Sequence, residues 1–325
     1  MSALFCLYGE SIMHFDEKYF EGEERNGFYI KPMMKRAWAA QLEILQQIDQ
    51  ICQRNNIEYF VSSGTLLGAI RHGGFIPWDD DLDIEMKRLD YERFLKIAAK
   101  ELPEGYRVSG PAIDSSWRIP FSRVLNSKEI PLKRERLQDF HGFPWQAGID
   151  IFPIDCLPDD ESEEDIMLGM YRAAYMLALE WEKCEMSEEE RMENLRELET
   201  YCNVSFTQDE SYSFQLWTLI DRIAAMYWDK ENEAKKVSMI YMLAKQPDLK
   251  FSSSWYKDKK WVPFENITVP VPGGYEQILT VLYGKDYMTP KQYEVHEYPF
   301  YKKQQKIVWE FYKKRGLEIP KELLE

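Results

Sequence analysis

A chain of 325 residues, 45% hydrophobic and 30% charged, carries enough apolar material for a full core and is not the composition of a disordered protein. Its formal net charge of -15 argues against nonspecific binding to nucleic acid or anionic lipid, although a bound cation and a few arginines can reverse the field locally. The cysteines Cys6, Cys52, Cys156, Cys184 and Cys202 are odd in number and form no CxxC or Cys/His cluster, which speaks against a disulfide scaffold or a zinc site and for free thiols.

The opening MSALFCLYGESIMHF lacks a basic n-region and a clear cleavage site, and no run approaches the roughly 20 apolar residues that span a bilayer. The expectation is a soluble, cytoplasmic protein without a transmembrane segment. Residues 33–55 space Leu42, Leu45, Ile48 and Ile51 as an amphipathic helix does, ended by Asn55-Asn56. EYFV (58–61) then reads as a strand, SSG (62–64) as a turn and TLLGAIRHG as a helix stopped by Gly73-Gly74. LDIEM (82–86) alternates as a strand, and RLDYERFLKIAAKE (88–101) reads as a helix with Leu89, Phe94, Ile97 and Ala98 inward. YRVSG (106–110), RIPFSRVLN (118–126) and AGIDIFPI (147–154) are further strand candidates.

An acidic linker at 159 opens a strongly helical stretch, and helical patterns continue through 212–246, with Trp181, Trp217 and Trp228 expected to pack this insertion's own core. After WVPFENITVPVPGG, a helix is predicted at 275–284 and a last one near 300–316. The division is thus a core over 1–158, a helical insertion over 159–250 and a C-terminal segment over 251–325 that completes the core.

The chemistry concentrates in PWDDDLDIE (77–85). Side chains two apart on a strand share a face, so Asp81 and Asp83 point together while Leu82 and Ile84 face the core. Such a pair suits one or two hard cations, but a DxD alone is also what a solvated acidic turn looks like. Gly64-Thr65 opens a helix, where backbone N–H groups favour an anion, though alone it is an ordinary helix start. In GIDIFPID (148–155), Asp150 stands between Ile149 and Ile151, so a strand that buries both presents Asp150 on the other face. It needs a partner there, either a metal ion or an arginine or backbone group.

A glycine-led helix start, an Asp-x-Asp strand and an isolated strand Asp are the parts of a nucleotidyltransferase-type site. The expected fold class is α+β, a nucleotidyltransferase-like mixed sheet flanked by helices. SSGTLLGAIRHGGFIPWDDDLDIEM closely resembles the signature of the LicD family, with fukutin and fukutin-related protein as distant relatives. GIDIFPID and VLYGKDYMTP (281–290) resemble its second and third motifs.

That resemblance implies transfer of a phospho-alcohol such as phosphocholine from a CDP-activated donor to a cell-surface or capsular glycan or glycolipid acceptor. It also implies Mg²⁺ or Mn²⁺ on Asp81, Asp83 and Asp150, and donor phosphates at Gly64 and Thr65. Asp150 is then a third ligand or the base. Arg71 and Arg123 are candidate phosphate contacts, because guanidinium clamps phosphate bidentately. Tyr283 and Tyr287 are candidates for stacking on a base or facing a choline-like cation. His72 reads as a helix-end residue, and Asp79 and Asp80 as supporting the metal pair at most. A nucleotidyltransferase that places NMP on a protein or small molecule, and a non-catalytic nucleotide- or glycan-binding protein, remain as alternatives. Location at the inner face of a membrane would follow from the acceptor.

Overall fold

The computed structural model describes residues 13–130, 140–183, 185–292, 298–320 and 323. Cys6, Cys184 and most of the opening segment lie outside the described residues; Cys52, Cys156 and Cys202 are free thiols. The strands are β1 (Glu23–Arg25), β2 (Phe28–Ile30), β3 (Phe60–Val61), β4 (Asp83–Lys87), β5 (Arg107–Ser109), β6 (Ser122–Leu125), β7 (Gly148–Leu157), β8 (Lys236–Ser238), β9 (Phe251–Ser252), β10 (Lys259–Phe264) and β11 (Ile267–Pro272). β3-β4-β7-β6-β5 form the central sheet, with β8 added along the end of β7 and β9 beside β8. β4 and β7 run parallel and their other neighbours antiparallel, giving the mixed sheet of an α+β fold.

Helix α1 (Pro32–Asn55) starts on a proline whose φ is already helical and ends at Asn56 in the left-handed region, φ 48. Its middle, Ala37 to Leu45, is buried on every side. α1 therefore runs through the core and its polar residues there, Gln41 included, must find partners inside. Helix α2 (Ser63–His72) follows β3, and α3 (Arg88–Glu101) follows β4. Ile84, Val124, Ile149 and Ile151 share one core cluster with α1 and α3.

On α3 the inward face is Tyr91, Phe94, Leu95 and Ala98, an i, i+3, i+4, i+7 set. Leu89 lies about 200° around the helix from Tyr91 and is 41% exposed, so its inward assignment is corrected.

Helices α4 (Glu161–Lys183), α5 (Glu188–Cys202) and α6 (Tyr212–Ala224) build a second cluster around Met167, Tyr171, Leu216 and Trp217. The helical reading of 212–246 holds to Ala224 and again only in the short helix Ile240–Leu243. Beyond Ala224, DKENE (229–233) gives no apolar stripe; the chain turns, and Lys236–Ser238 pairs with Asp155–Leu157 as β8. Trp228, in a turn of 3-10 helix past the end of α6, is 51% exposed and not in the cluster's core, against expectation. A short α7 (Ile240–Leu243), then α8 (Tyr275–Tyr283) and α9 (Lys302–Lys314), complete the helices.

One buried ion network ties the two clusters. Arg88 of α3 donates from Nε and Nη2 to the carboxylate oxygens of Asp155 on β7 at 2.6 and 2.9 Å. Its Nη1 donates to Asp221 of α6 at 2.8 Å.

Candidate active site

Strand register assembles the site. β4 and β7 pair Asp83 with Asp150, and β6 pairs Arg123 with the same Asp150. Directly paired residues on neighbouring strands share a face about 4.8 Å apart. Three strands therefore set two carboxylates and a guanidinium in one row, while Ile84, Ile149 and Ile151 go into the core. Arg123 clamps Asp150 through Nε on one oxygen and Nη2 on the other, the latter at 2.7 Å. The partner required of Asp150 is thus present in the chain.

Asp81 stands two residues before β4, in a turn fixed from behind by α1. Trp38 Nε1 donates to the Asp79 carbonyl at 3.3 Å, and Gln41 Nε2 to the Asp80 carbonyl at 2.8 Å. Asp80 is fully buried and its carboxylate accepts the Phe300 N–H, a structural duty. Asp79, Asp80 and Asp81 nevertheless present one oxygen each within 4.8 Å of one another.

Asp79 has a larger part than the sequence suggested. One of its carboxylate oxygens lies within 4.8 Å of one of Asp81's, and the side chain faces the same cavity. It also occupies the space that a side chain at residue 64 would need, since a Cβ there would fall 2.5 Å from Asp79 Oδ2. The absent side chain at Gly64 thus serves a carboxylate of the chain itself. Gly64→Ala is expected to rotate Asp79 away from Asp81, seen crystallographically, while the gain in helix propensity keeps the stability change within about 1 kcal/mol.

The electrostatics are those of a crowd. Burial, and then the charges of Asp81 and Asp80, raise the Asp79 carboxyl well above the ordinary range. Burial raises Asp83 likewise, helped by Asp81, Asp150 and Asp79. Asp150 is raised by burial although Arg123 pulls the other way. Hard oxygen atoms with excess negative charge are the donor set that Mg²⁺ or Mn²⁺ takes, so these residues fit such an ion.

Two cavities meet here. The larger, about 680 Å³, is lined by Gly64, Arg71, Asp79, Asp81 and Asp83 on one side and by the aromatic rings of Phe28, Trp78, Tyr283, Tyr287 and Tyr298 elsewhere. The smaller, about 130 Å³, has Asp81, Asp150 and Arg123 in its wall. Among the described residues, none between 159 and 250 lines either one.

The predicted residues divide accordingly. Gly64, Arg71, Asp81 and Asp83 come together around the larger space; Arg123 and Asp150 face the smaller. Thr65 lines neither: it is buried and its hydroxyl accepts the Asp83 N–H at 2.8 Å, fixing the start of β4. Arg71 donates from Nη1 to the Tyr287 carbonyl at 2.8 Å, tying α2 to the segment after α8. His72 closes α2, and burial, with Arg71 and Arg25 nearby, lowers its pKa to about 4, which leaves it neutral at pH 7. Tyr298 and Lys302 also line the larger cavity and had no signal in the sequence, because they come from far along the chain.

Residues 56–155 match the family model described as LicD/FKTN/FKRP, nucleotidyltransferase domain. The chain is 34% identical over 120 residues to the lipopolysaccharide cholinephosphotransferase LicD of Haemophilus influenzae, a match that covers 37% of this chain and 43% of that protein. Uncharacterized proteins of Rickettsia typhi and Rickettsia prowazekii are each 42% identical to it, over 66 and 67 residues, or 20% and 21% of this chain and 21% and 25% of theirs. The chain spans less than half the length of each of these relatives. The matched segment contains Gly64, Asp79, Asp81, Asp83, Arg123 and Asp150, and it is over this segment that the chain is similar to the LicD family.

Proposed function

We propose that the protein transfers a phosphocholine-like phospho-alcohol from its CDP-activated form to a hydroxyl of a cell-surface or capsular glycan precursor. The observation that carries this reading is the strand register that sets Asp83 beside Asp150, with Asp81 and Asp79 before them, at the edge of a cavity of nucleotide size. The family match supports the reaction class, and the H. influenzae relative is named for cholinephosphate transfer to lipopolysaccharide.

Asp81 and Asp83, with Asp79 and Asp150 in reach, would hold Mg²⁺ or Mn²⁺; such an ion would neutralise charge on the diphosphate and on the departing CMP. Arg71 lies on the wall of the same cavity, where its guanidinium can meet a phosphate oxygen. The aromatic rings supply stacking surface for a base and negative faces for a quaternary ammonium. In the transfer, the acceptor oxygen forms a bond to the distal phosphorus, the phosphoanhydride bond to CMP breaks, and the hydroxyl proton passes to Asp150. Arg123 holds that carboxylate in position. Action at the inner face of a membrane follows from the acceptor; no helix among the described residues is long and apolar enough to cross one.

Incubation with CDP-choline or CDP-ribitol, Mg²⁺ and candidate glycans is expected to release CMP in step with phosphodiester formation. Incorporation of NMP from a nucleoside triphosphate, with no CMP released from either CDP-alcohol, would replace this reading with nucleotidyl transfer.

A further inference from the structure

The smaller cavity carries an assignment of its own. It shares Asp81 with the larger cavity and no other lining residue. Apart from Asp81, Asp150 and Arg123, its walls are Gln41, Gln146 and Gln304, the apolar Leu82, Leu125 and Phe300, and Gly148. At about 130 Å³ it holds a few water molecules or one edge of a sugar, and not a nucleotide.

Gln304 is committed at both ends of its amide and Gln146 through its nitrogen. Gln304 bridges the backbone of residue 146, accepting its N–H and donating to its carbonyl, both at 2.9 Å. Gln146 Nε2 donates to the Ser127 carbonyl at 2.7 Å. Gln41 is different. Its Nε2 is spent on the Asp80 carbonyl, which fixes the amide's orientation, and its Oε1 has no partner among the described residues although the side chain is 1% exposed. A buried acceptor left unmatched costs about 1–3 kcal/mol, a cost that a ligand hydroxyl reaching it would remove.

Resting on the transferase reading above, we infer that this cavity is the acceptor subsite, and that it takes a polyhydroxy group presenting two nearby hydroxyls. One hydroxyl directs its proton to Asp150 and its oxygen toward Asp81, where the cavities meet. The other donates its O–H to Gln41 Oε1. A single hydroxyl has one proton and cannot serve both acceptors, so the arrangement selects a diol unit of a sugar or polyol over a simple alcohol. Leu125 and Phe300 receive the C–H faces of the same unit.

The test uses the full chain with Mg²⁺ and two readouts. In an NMR titration, the Gln41 side-chain amide signals, identified by their loss in Gln41→Leu, are expected to shift with ribitol and not with propan-1-ol. In the transfer assay, Gln41→Leu should raise the KM for the sugar acceptor about tenfold, equivalent to one lost hydrogen bond, and more than it raises the KM for CDP-choline, which it can reach only through the Asp80 carbonyl it releases. Leu125→Phe, which narrows the cavity without removing a polar group, should act in the same direction, with melting curves checking that both variants fold. A KM for CDP-choline or CDP-ribitol that rises in step would mean that the cavity holds the donor's alcohol, and would overturn the assignment. So would amide signals indifferent to ribitol. Shifted signals in a protein that releases no CMP would keep the polyol site and remove the transferase reading instead.

Discussion

Asp83→Asn is expected to lower kcat/KM for transfer by about 1,000-fold, corresponding to roughly 4 kcal/mol of charge stabilisation at the reacting phosphoryl group. It should do so without loosening the fold. Asp83 is half-buried beside Asp81, Asp150 and Asp79, all of the same charge, with Arg123 as the one compensating group among those that act on it. Removing one negative charge from that crowd relieves repulsion, so the variant should melt at or above the wild-type temperature in the presence of chelator. The wild type, by contrast, should gain stability on addition of Mg²⁺, as binding to the folded state requires. Asp83→Asn should lose most of that gain. Paired melting curves with and without Mg²⁺, together with CMP-release rates, measure all three. Wild-type turnover in this variant, or an undiminished Mg²⁺ shift, would remove Asp83 from the site.

The largest effect on stability is expected at Arg88→Leu, which leaves Asp155 and Asp221 buried without their partner. Breaking a buried ion pair from one side costs about 3–5 kcal/mol, most of it the stranded charge. Here one guanidinium serves two carboxylates from two elements, so the upper end of that range applies. Urea unfolding gives the loss directly. The triple replacement Arg88→Met, Asp155→Leu and Asp221→Leu should recover much of it, because no charge is then stranded. Hydrogen exchange adds a second reading. In Arg88→Leu, α6 should lose protection ahead of β4 and β7, since Asp221 is the α6 end of the tie between the two clusters.

Much of the site is legible in the sequence for a physical reason. Alternation on a strand forces Asp83 and Asp150 away from Ile84, Ile149 and Ile151, so their common face follows from period two alone. α1 is legible from period 3.6. What the pattern hides is equally explicable. Asp79 sits in a turn without periodicity, and only the close approach to Gly64 reveals where it points. Gln41 is a polar residue in a helix read by its leucines and isoleucines, and its meaning depends on the free oxygen it keeps inside. β8 is three residues long and joins the sheet by pairing with a strand some eighty residues earlier, which no local window contains. Arg123 was visible as a cation, but its register opposite Asp150 was not.

The segment after residue 297 sends Tyr298 and Lys302 to the larger cavity and Phe300 and Gln304 to the smaller, and so acts as a party wall. On either side of it the linings are separate apart from Asp81. Substitutions in 283–292 can then retune one ligand, and substitutions at 125 or 146 the other, each with little penalty to its neighbour. Residues 298–304 enjoy no such freedom. A laboratory selection for a new donor should therefore draw its changes from the first group and leave the wall intact.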